Sequence, residues 1–290
     1  MLFGKLILGL TALVSAVAAF PRSEDTKYFH EPGRGNLEGH YDARYYKETV
    51  DYDTRLDTLT HMVRAWLQTT QQENIETWIA HGTLLGWWWN AKMLPWDWDL
   101  DVQVHHNTLT MLGQKYNQTT HKYKSADGTV EREYLLDVNP WIWQRVRGDG
   151  NNVIDARWVD VRNGLFIDIT GIAETDPTNA PGILNCKNWH RYHYDDIWPL
   201  RDTTFEGVPA KIPYNFDAIL VKEYNTKALT VTEYQGHRWN VQTKAWEKAT
   251  DVPSGAQGEL ALEKPRVPGR YSTVETGGFF YNVFRLVHFW

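Results

Sequence analysis

Three aspartates at alternate positions are the clearest chemical feature of this sequence. Asp97, Asp99 and Asp101 lie within "PWDWDLDVQV", where polar and apolar residues alternate from Asp97 to Val104. This alternation predicts a β-strand whose three carboxylates share one face, with neighbours about 6.5–7 Å apart. Like charges at this density need a cation, and Mg²⁺ or Mn²⁺ prefers oxygen ligands that nucleotide phosphates can complete. The spacing therefore predicts a divalent-metal site.

An exposed acidic strand edge is the alternative interpretation, because edge strands use charge to discourage pairing. A solvated face would rarely have Trp96, Trp98 and Leu100 on its opposite side. These apolar residues favour a strand that is packed on one face and carries the metal ligands on the other.

A short polar phrase, His81-Gly82-Thr83, precedes the aspartates. A glycine and a hydroxyl at a helix N-terminus supply free backbone N–H groups and the positive end of the helix dipole, where a phosphate can bind. We therefore expect Gly82 and Thr83 to contact substrate phosphate. His81 could orient that phosphate or act as a base, or it could be a hydrogen-bonded core residue.

A third acid follows on a later apolar run. Asp168 lies in "GLFIDITGI", which reads as a buried strand. The order of Gly-Thr, paired acids and a single acid between apolar residues resembles the nucleotidyltransferase superfold. "HGTLLG", "PWDWDLDV", "NGLFIDIT" and "FEGVPAKIP", in this order, resemble the LicD family more closely, over about residues 53–240.

The resemblance implies a metal-dependent phosphotransferase. Such an enzyme moves a phospho-substituted group, such as mannosylphosphate or phosphocholine, from a CDP- or GDP-linked diphospho donor to a glycan hydroxyl. By position, Asp99 and Asp101 match the paired metal acids and Asp168 matches the third acid. Asp97 and His81 match residues that flank the site, and we count Asp97 among the candidate metal ligands and His81 among the candidate catalytic residues.

Three departures from the family pattern affect the predicted substrate contacts. Trp89 replaces a basic residue that is common before the acidic motif, although Lys92 is near. Trp98 stands in the middle of the acidic motif, and Tyr224-Asn225 replaces the usual Tyr-Gly. Asn tolerates the positive φ that a helix end needs.

The tryptophans add candidate stacking surfaces. Trp89 and Trp96 are candidates for substrate binding, because sugar faces and nucleobases both stack on indole. Ordinary core packing is the alternative for each of them.

Two other classes of protein fit the same residues. One is a non-catalytic glycan-binding or regulatory protein that retains the fold, and the loss of an acid from the metal set would indicate it. Asp99, Asp101 and Asp168 are all present. The other is a metal-dependent phosphohydrolase, which would need a water path in place of an acceptor groove.

Charge and the N-terminal residues restrict partners and compartment. A net charge of −6 over 290 residues argues against nucleic-acid binding, because there is no basic field to hold a phosphate backbone. Residues 1–19 predict a cleaved secretory signal, with an uncleaved membrane anchor as the alternative. We expect a secreted or Golgi-lumenal protein with glycan on Asn117, in the one Asn-X-Thr sequon. The single cysteine, Cys186, receives no role.

The remaining pattern predicts one α/β (α+β) domain. We expect a mixed sheet flanked by helices over residues 53–248, preceded by an extended arm over 20–52 and followed by a C-terminal loop and docking segment over 249–290. The predicted helices are Tyr52 to Thr70, capped by Asp53, Thr83 to Asn90, and a late helix capped by Asn215. A hairpin is predicted around Glu206-Gly207.

Overall fold

A computed structural model describes residues 26–250 except residues 34 and 36. The helices are α1 (Tyr52–Gln72), α2 (His81–Asn90), α3 (His106–Lys115), α4 (Tyr194–Ile197) and α5 (Phe216–Tyr224), with single 3-10 turns at Glu38–His40 and Thr226–Leu229. The strands are β1 (Trp78–Ile79), β2 (Leu100–His105), β3 (Thr119–Lys124), β4 (Glu131–Val138), β5 (Ala156–Asp160), β6 (Phe166–Glu174), β7 (Ile183–Asn185), β8 (Arg191–His193), β9 (Arg201–Phe205), β10 (Val208–Ile212), β11 (Glu233–Tyr234), β12 (His237–Asn240) and β13 (Ala245–Lys248).

One mixed sheet dominates the fold and confirms the predicted class. Its strands run in the order β1-β2-β6-β5-β4-β3, with β7 and β8 added at the end of β6. β2 and β6 are parallel, and the other neighbours are antiparallel. Strands β9 and β10 form the hairpin predicted at Glu206-Gly207, and β11, β12 and β13 form a small separate sheet.

Central strands β5 and β6 are buried over nearly their whole length, which agrees with their apolar sequence. Parallel pairing of β2 with β6 sets Asp101 beside Asp168. Antiparallel pairing of β5 with β6 sets Arg157 opposite the same Asp168. The register of these two strand pairs therefore brings Asp101 and Asp168 together with the basic residue Arg157.

Helix α1 packs on this sheet through its apolar stripe. Leu59, Val63 and Trp66 are buried at helical spacing, as predicted. The cap differs from the prediction, because Asp51 and not Asp53 accepts a hydrogen bond from the Thr54 N–H, at 2.9 Å. The cap stands one residue before Tyr52 because Asp51 has the extended backbone that an N-cap requires.

The N-terminal arm crosses the sheet and contacts it. The Asp42 N–H donates to the Gly164 carbonyl at 2.7 Å, and Tyr41 forms a bridge with Leu165. The predicted signal segment and the predicted C-terminal docking segment lie outside the described residues. Among residues 26–250, no helix is both long enough and apolar enough to span a membrane.

The strand predicted from Asp97 to Val104 was wrong at its start. β2 begins at Leu100, so Asp97 and Asp99 lie in the loop before it and only Asp101 is a strand residue. Short strands β3, β7 and β8 and the sheet β11–β13 were not predicted. Strands β7 and β8 have three residues each, and β3 (TTHKYK) is almost entirely polar, so these segments offer too little apolar patterning for a strand prediction.

Candidate active site

A cluster of four carboxylates lies where β2 and β6 run side by side. Asp101 and Asp168 are register partners on these strands, and partners on parallel strands point to the same face. Asp97 and Asp99 join them from the preceding loop: the Asp99 carboxylate raises the pKa of each of the other three, and Asp97 and Asp168 raise the pKa of Asp101. The four acids of the sequence prediction therefore converge on one site, which we call the carboxylate cluster.

A buried arginine of α1 shapes the loop that carries Asp97 and Asp99. Arg55 donates to the Pro95 carbonyl at 2.6 Å and to the Trp96 carbonyl at 3.2 Å. Its guanidinium also lies 4.4 Å from the centre of the Trp98 ring. Because Arg55 is only 3% exposed, these contacts are well shielded from water. Arg55 therefore holds the loop in the conformation that brings two acids to the site.

The Gly-Thr turn lies against the cluster, as the sequence analysis expects. A side chain on Gly82 would approach Asp97 Oδ2 within 3.3 Å, so the first turn of α2 closely faces that carboxylate. The Thr83 hydroxyl accepts the backbone N–H of Asp101 at 2.8 Å and is almost fully buried. Thr83 thus couples the start of α2 to β2, beside the carboxylate cluster.

Three further residues reach the cluster from elsewhere in the chain. The Arg157 Nε donates to Asp168 Oδ1 at 2.9 Å, and its Nη2 pairs with Glu31 of the arm at 2.8 Å. His40, also in the arm, lies with Nδ1 3.4 Å from Asp99 Oδ2. None of the three was predicted from the sequence. Arg157 left a signal, since it is a charged residue next to Ala156, Trp158 and Val159 in a predicted strand, whereas Glu31 and His40 lie in an aperiodic segment that offers none.

The electrostatics of the cluster indicate an excess of negative charge. Burial raises the pKa of Asp101 well above its usual range, and the neighbouring Asp99 carboxylate raises it further. Burial and the Asp99 carboxylate also raise the pKa of Asp97. Burial also raises the pKa of Asp168 to about 6, although Arg157 opposes this. For Asp99, burial is outweighed by His40 and Arg157, so its pKa is lowered.

The donor set fits a divalent cation. In the described part of the chain, ion pairs reach the four carboxylates from Arg157 and His40, fewer positive charges than negative ones. Protons or a cation can make up the difference, and burial with the neighbouring carboxylates raises the pKa of Asp97 and of Asp101, which favours protonation of both in the absence of metal. Oxygen ligands of this kind suit Mg²⁺ or Mn²⁺.

His81 begins α2 with a positive φ of 50° and belongs to a hydrogen-bonded ring of side chains. Its Nδ1 lies 2.8 Å from Glu223 Oε2, and its Nε2 lies 3.2 Å from the Gln103 amide nitrogen. The Gln103 amide also donates to the Tyr192 hydroxyl, which donates to Glu223 Oε1 at 2.8 Å. Both ring nitrogens of His81 are therefore engaged.

The protonation of His81 follows from two opposing influences. Gln103 Oε1 accepts from the Trp78 indole, so the amide NH₂ faces His81 and the ring as placed is neutral, with its proton on Nδ1. Burial also disfavours the charged ring, but Glu223 outweighs burial and raises the pKa of His81 to about 9. A second proton therefore becomes favourable only if the Gln103 amide turns its oxygen toward the ring.

The two candidate stacking tryptophans pack within the protein. Trp89 is 9% exposed, lies between Trp239 and Trp246, and donates to the Ala228 carbonyl. Trp96 packs edge-on against Trp246. These contacts join the loop of the carboxylate cluster to the small C-terminal sheet.

Two residues that were considered with the departures from the family pattern have clear positions. Lys92 is exposed beside the end of α2. Asn225 adopts the positive φ, 55°, that we expected it to tolerate after α5.

A mixed sheet with acids on adjacent strands and a Gly-Thr helix start beside them is the arrangement of a nucleotidyltransferase-like domain. The family model described as LicD/FKTN/FKRP, nucleotidyltransferase domain, matches residues 74–215. The chain therefore contains a LicD-type domain over these residues. The match contains the carboxylate cluster, whereas Glu31, His40 and Glu223 lie outside it.

Two curated proteins of Saccharomyces cerevisiae are similar to this chain. Mannosyltransferase regulator 4 is 34% identical over 265 residues, which cover 88% of this chain and 21% of that protein. Mannosyltransferase regulator 14 is 31% identical over 175 residues, which cover 57% of this chain and 18% of that protein. The chain thus spans about a fifth of the length of these relatives.

Proposed function

We propose that this protein is a metal-dependent phosphotransferase that acts on a glycan hydroxyl. One observation carries the proposal: Asp101 and Asp168 are register partners in a carboxylate cluster that lacks enough positive charge. The LicD-type domain supports transfer chemistry, and the names of the yeast relatives support a glycan substrate.

Each residue of the site has a proposed role. Asp99 and Asp101 would hold Mg²⁺ or Mn²⁺, with Asp97 and Asp168 beside them, and such a cation would neutralise charge on the departing nucleotide. Gly82 and the first turn of α2 bind donor phosphate through backbone N–H groups. Gly82 lies beside Asp97, and Thr83 is hydrogen-bonded to the backbone of Asp101.

Proton transfer and phosphate recognition need two more groups. The acceptor hydroxyl attacks the distal phosphorus of the donor, the bond to the bridging oxygen breaks, and nucleoside monophosphate leaves. We assign the acceptor's proton to Asp168, the carboxylate that Arg157 orients beside Asp101. Arg157 has a buried Nη1 that no described residue engages, and it can donate to a phosphate oxygen.

In this reaction His81 acts indirectly, through the backbone that positions Gly82. With both of its nitrogens engaged by Glu223 and Gln103, it holds the backbone turn that leads into Gly82. We therefore assign His81 a positioning role and leave proton transfer to the carboxylates.

The names of the relatives support a proposal for the transferred group and the compartment. A CDP- or GDP-linked diphospho donor fits the family's chemistry, and mannosylphosphate fits proteins named mannosyltransferase regulators. Such glycans are modified in the secretory pathway, so we place the protein in the Golgi lumen or outside the cell.

Regulation of another enzyme is the second candidate function, and the names of the two yeast relatives favour it. A regulatory protein would bind glycan or a partner transferase and keep the fold without turnover. The complete set of Asp99, Asp101 and Asp168 favours the enzyme.

A donor screen separates the two candidates. The full chain is incubated with CDP-choline, CDP-ribitol or GDP-mannose, a mannan acceptor and Mn²⁺, and released CMP or GMP is measured. Acceptor-dependent release from one donor, lost in Asp101→Asn, is the expected result. Absence of release from every donor, together with glycan binding that Asp101→Asn leaves intact, would establish the regulatory function in its place.

A further inference from the structure

A second group of possible metal ligands lies behind the carboxylate cluster. One ligand atom from each of His81, His190 and Glu223 lies within 4.8 Å of the other two. The three residues come from separate places in the chain: the start of α2, the loop before β8, and the end of α5. The rings of His81 and His190 are tilted against each other with centroids 4.3 Å apart. The side chains of His81 and Glu223 are only 12% and 7% exposed.

Each member of this group has a second hydrogen-bonding atom held by an outer partner. Gln103 engages His81 Nε2, and the Tyr192 hydroxyl engages Glu223 Oε1. The Cys186 Sγ lies 3.4 Å from His190 Nδ1. Metal-binding histidines and carboxylates are usually oriented by outer partners in this way. The arrangement leaves His81 Nδ1 and Glu223 Oε2 facing each other, 2.8 Å apart.

We propose that His81, His190 and Glu223 bind a zinc ion. Two imidazole nitrogens and one carboxylate oxygen form a set of three protein ligands that zinc accepts, with a fourth position left for water. The carboxylate cluster offers oxygen alone and suits Mg²⁺ or Mn²⁺. The two groups therefore select different metals by their ligand atoms.

The protonation states of the surrounding groups agree with this site. Burial, together with a smaller effect of the nearby His81, lowers the pKa of His190 to about 4, so the His190 imidazole is neutral at pH 7. Burial raises the pKa of the Cys186 thiol to about 11, which leaves it a neutral outer partner of His190 and not a thiolate ligand. The pKa of Glu223 is lowered, because burial is outweighed by His81.

Zinc binding would rearrange the hydrogen-bonded ring around His81. The metal would take the place of the proton on His81 Nδ1 that faces Glu223, and the neutral ring would carry its one proton on Nε2 instead. The Gln103 amide must then turn its oxygen toward the ring, so its present bonds to the Trp78 indole and the Tyr192 hydroxyl are given up. These hydrogen bonds are exchanged for three metal–ligand bonds.

A zinc ion at this site would link α5 to the domain that the LicD family model matches. Glu223 lies beyond residue 215, where the LicD match ends, while His81 and His190 lie inside it. A zinc ion across the three segments would stabilise the start of α2, from which Gly82 and Thr83 face the carboxylate cluster. This role does not depend on phosphotransfer.

Metal content tests the proposal directly. The full chain is purified without a polyhistidine tag, and zinc is measured by plasma mass spectrometry. We expect about one zinc ion per chain in the wild type and a loss of about fivefold or more in His190→Asn. His193→Asn is the matched control, because His193 is exposed three residues away, and it should keep its zinc. Asp99→Asn should also keep zinc while losing its response to Mn²⁺.

Chelation gives a second measurement that does not require a folded variant. Phenanthroline should lower the wild-type Tm, and added Zn²⁺ but not Mg²⁺ should restore it. Wild-type protein with zinc no higher than the buffer and a Tm unaffected by chelator would overturn the site, as would a folded His190→Asn that keeps its zinc. Either result stands whether or not the protein transfers phosphate, so failure of the proposed function is recognised separately.

Discussion

Arg157 and Asp168 face each other across β5 and β6, with the guanidinium Nε 2.9 Å from the carboxylate Oδ1. The same guanidinium pairs with Glu31 of the N-terminal arm. The buried guanidinium of Arg157 thus connects the sheet, the N-terminal arm and Asp168. Its partners determine how much positive charge a bound metal must add.

Loss of Arg157 should destabilise the protein. Arg157→Met leaves Asp168 and Glu31 in a buried site without their shared partner, at a cost of about 3–5 kcal/mol in the free energy of unfolding. Urea denaturation measures the effect. Asp168→Asn in the same background should recover part of the loss, because one unpaired charge is removed. A double variant no more stable than Arg157→Met would contradict the pairing.

The metal-binding pair should separate activity from stability. Asp99→Asn and Asp101→Asn each keep the side-chain size, so the protein should fold and its metal-free Tm should stay constant or rise as repulsion falls. Transfer should drop by about a hundredfold or more, because the cation acts on charge that develops in the transition state. Asp97→Asn should have a smaller effect. Nucleotide release and melts with and without Mn²⁺ provide the readouts, and an unchanged Mn²⁺ shift in Asp101→Asn would count against the site.

Thr83 offers a pair of variants that differ in one hydrogen bond. Thr83→Val keeps the shape but leaves the buried Asp101 N–H without an acceptor, which should cost about 1–3 kcal/mol. Thr83→Ser keeps the hydroxyl and should lose less. The comparison uses urea midpoints of the metal-free proteins. Equal losses in the two variants would show that packing of the methyl group, and not the hydrogen bond, is what matters.

The metal-free protein should become less stable as pH rises through the range in which Asp168 titrates. Its pKa is raised to about 6, whereas an unfolded aspartate titrates near 4. Between these values the native state holds a proton that the unfolded state has lost, so the free energy of unfolding falls with rising pH. Asp168→Asn lacks this proton. The free energy of unfolding of Asp168→Asn minus that of the wild type should therefore increase between about pH 4.5 and about pH 7. A difference that stays constant with pH would contradict the raised pKa of Asp168.

Asn117 should carry glycan when the protein is made in a secretory host. The residue is exposed, and its Oδ1 accepts from the Val138 N–H at 2.8 Å, which leaves the amide nitrogen available. Endoglycosidase treatment should lower the apparent mass of the wild type and leave Asn117→Gln unchanged. A wild-type protein with no mass shift would contradict the predicted compartment.

The residues of the candidate site could be predicted largely from local spacing in the sequence. Asp97, Asp99 and Asp101 are close along the chain, so their density alone indicates a cation, and the buried run around Asp168 identifies a central strand. Gly82 and Thr83 begin a helix because of local backbone preferences. All of these features depend on neighbours within a few residues, which a sequence displays directly.

Only the tertiary structure decided which other residues join them. Arg157 meets Asp168 through the register of β5 with β6, and one residue of slip would turn it to the other face of the sheet. His40 reaches Asp99 because the arm docks on the sheet, and Glu223 meets His81 because α5 packs beside α2. These contacts join residues far apart in sequence. Their selection depends on packing and strand register summed over the whole fold, which local spacing does not encode.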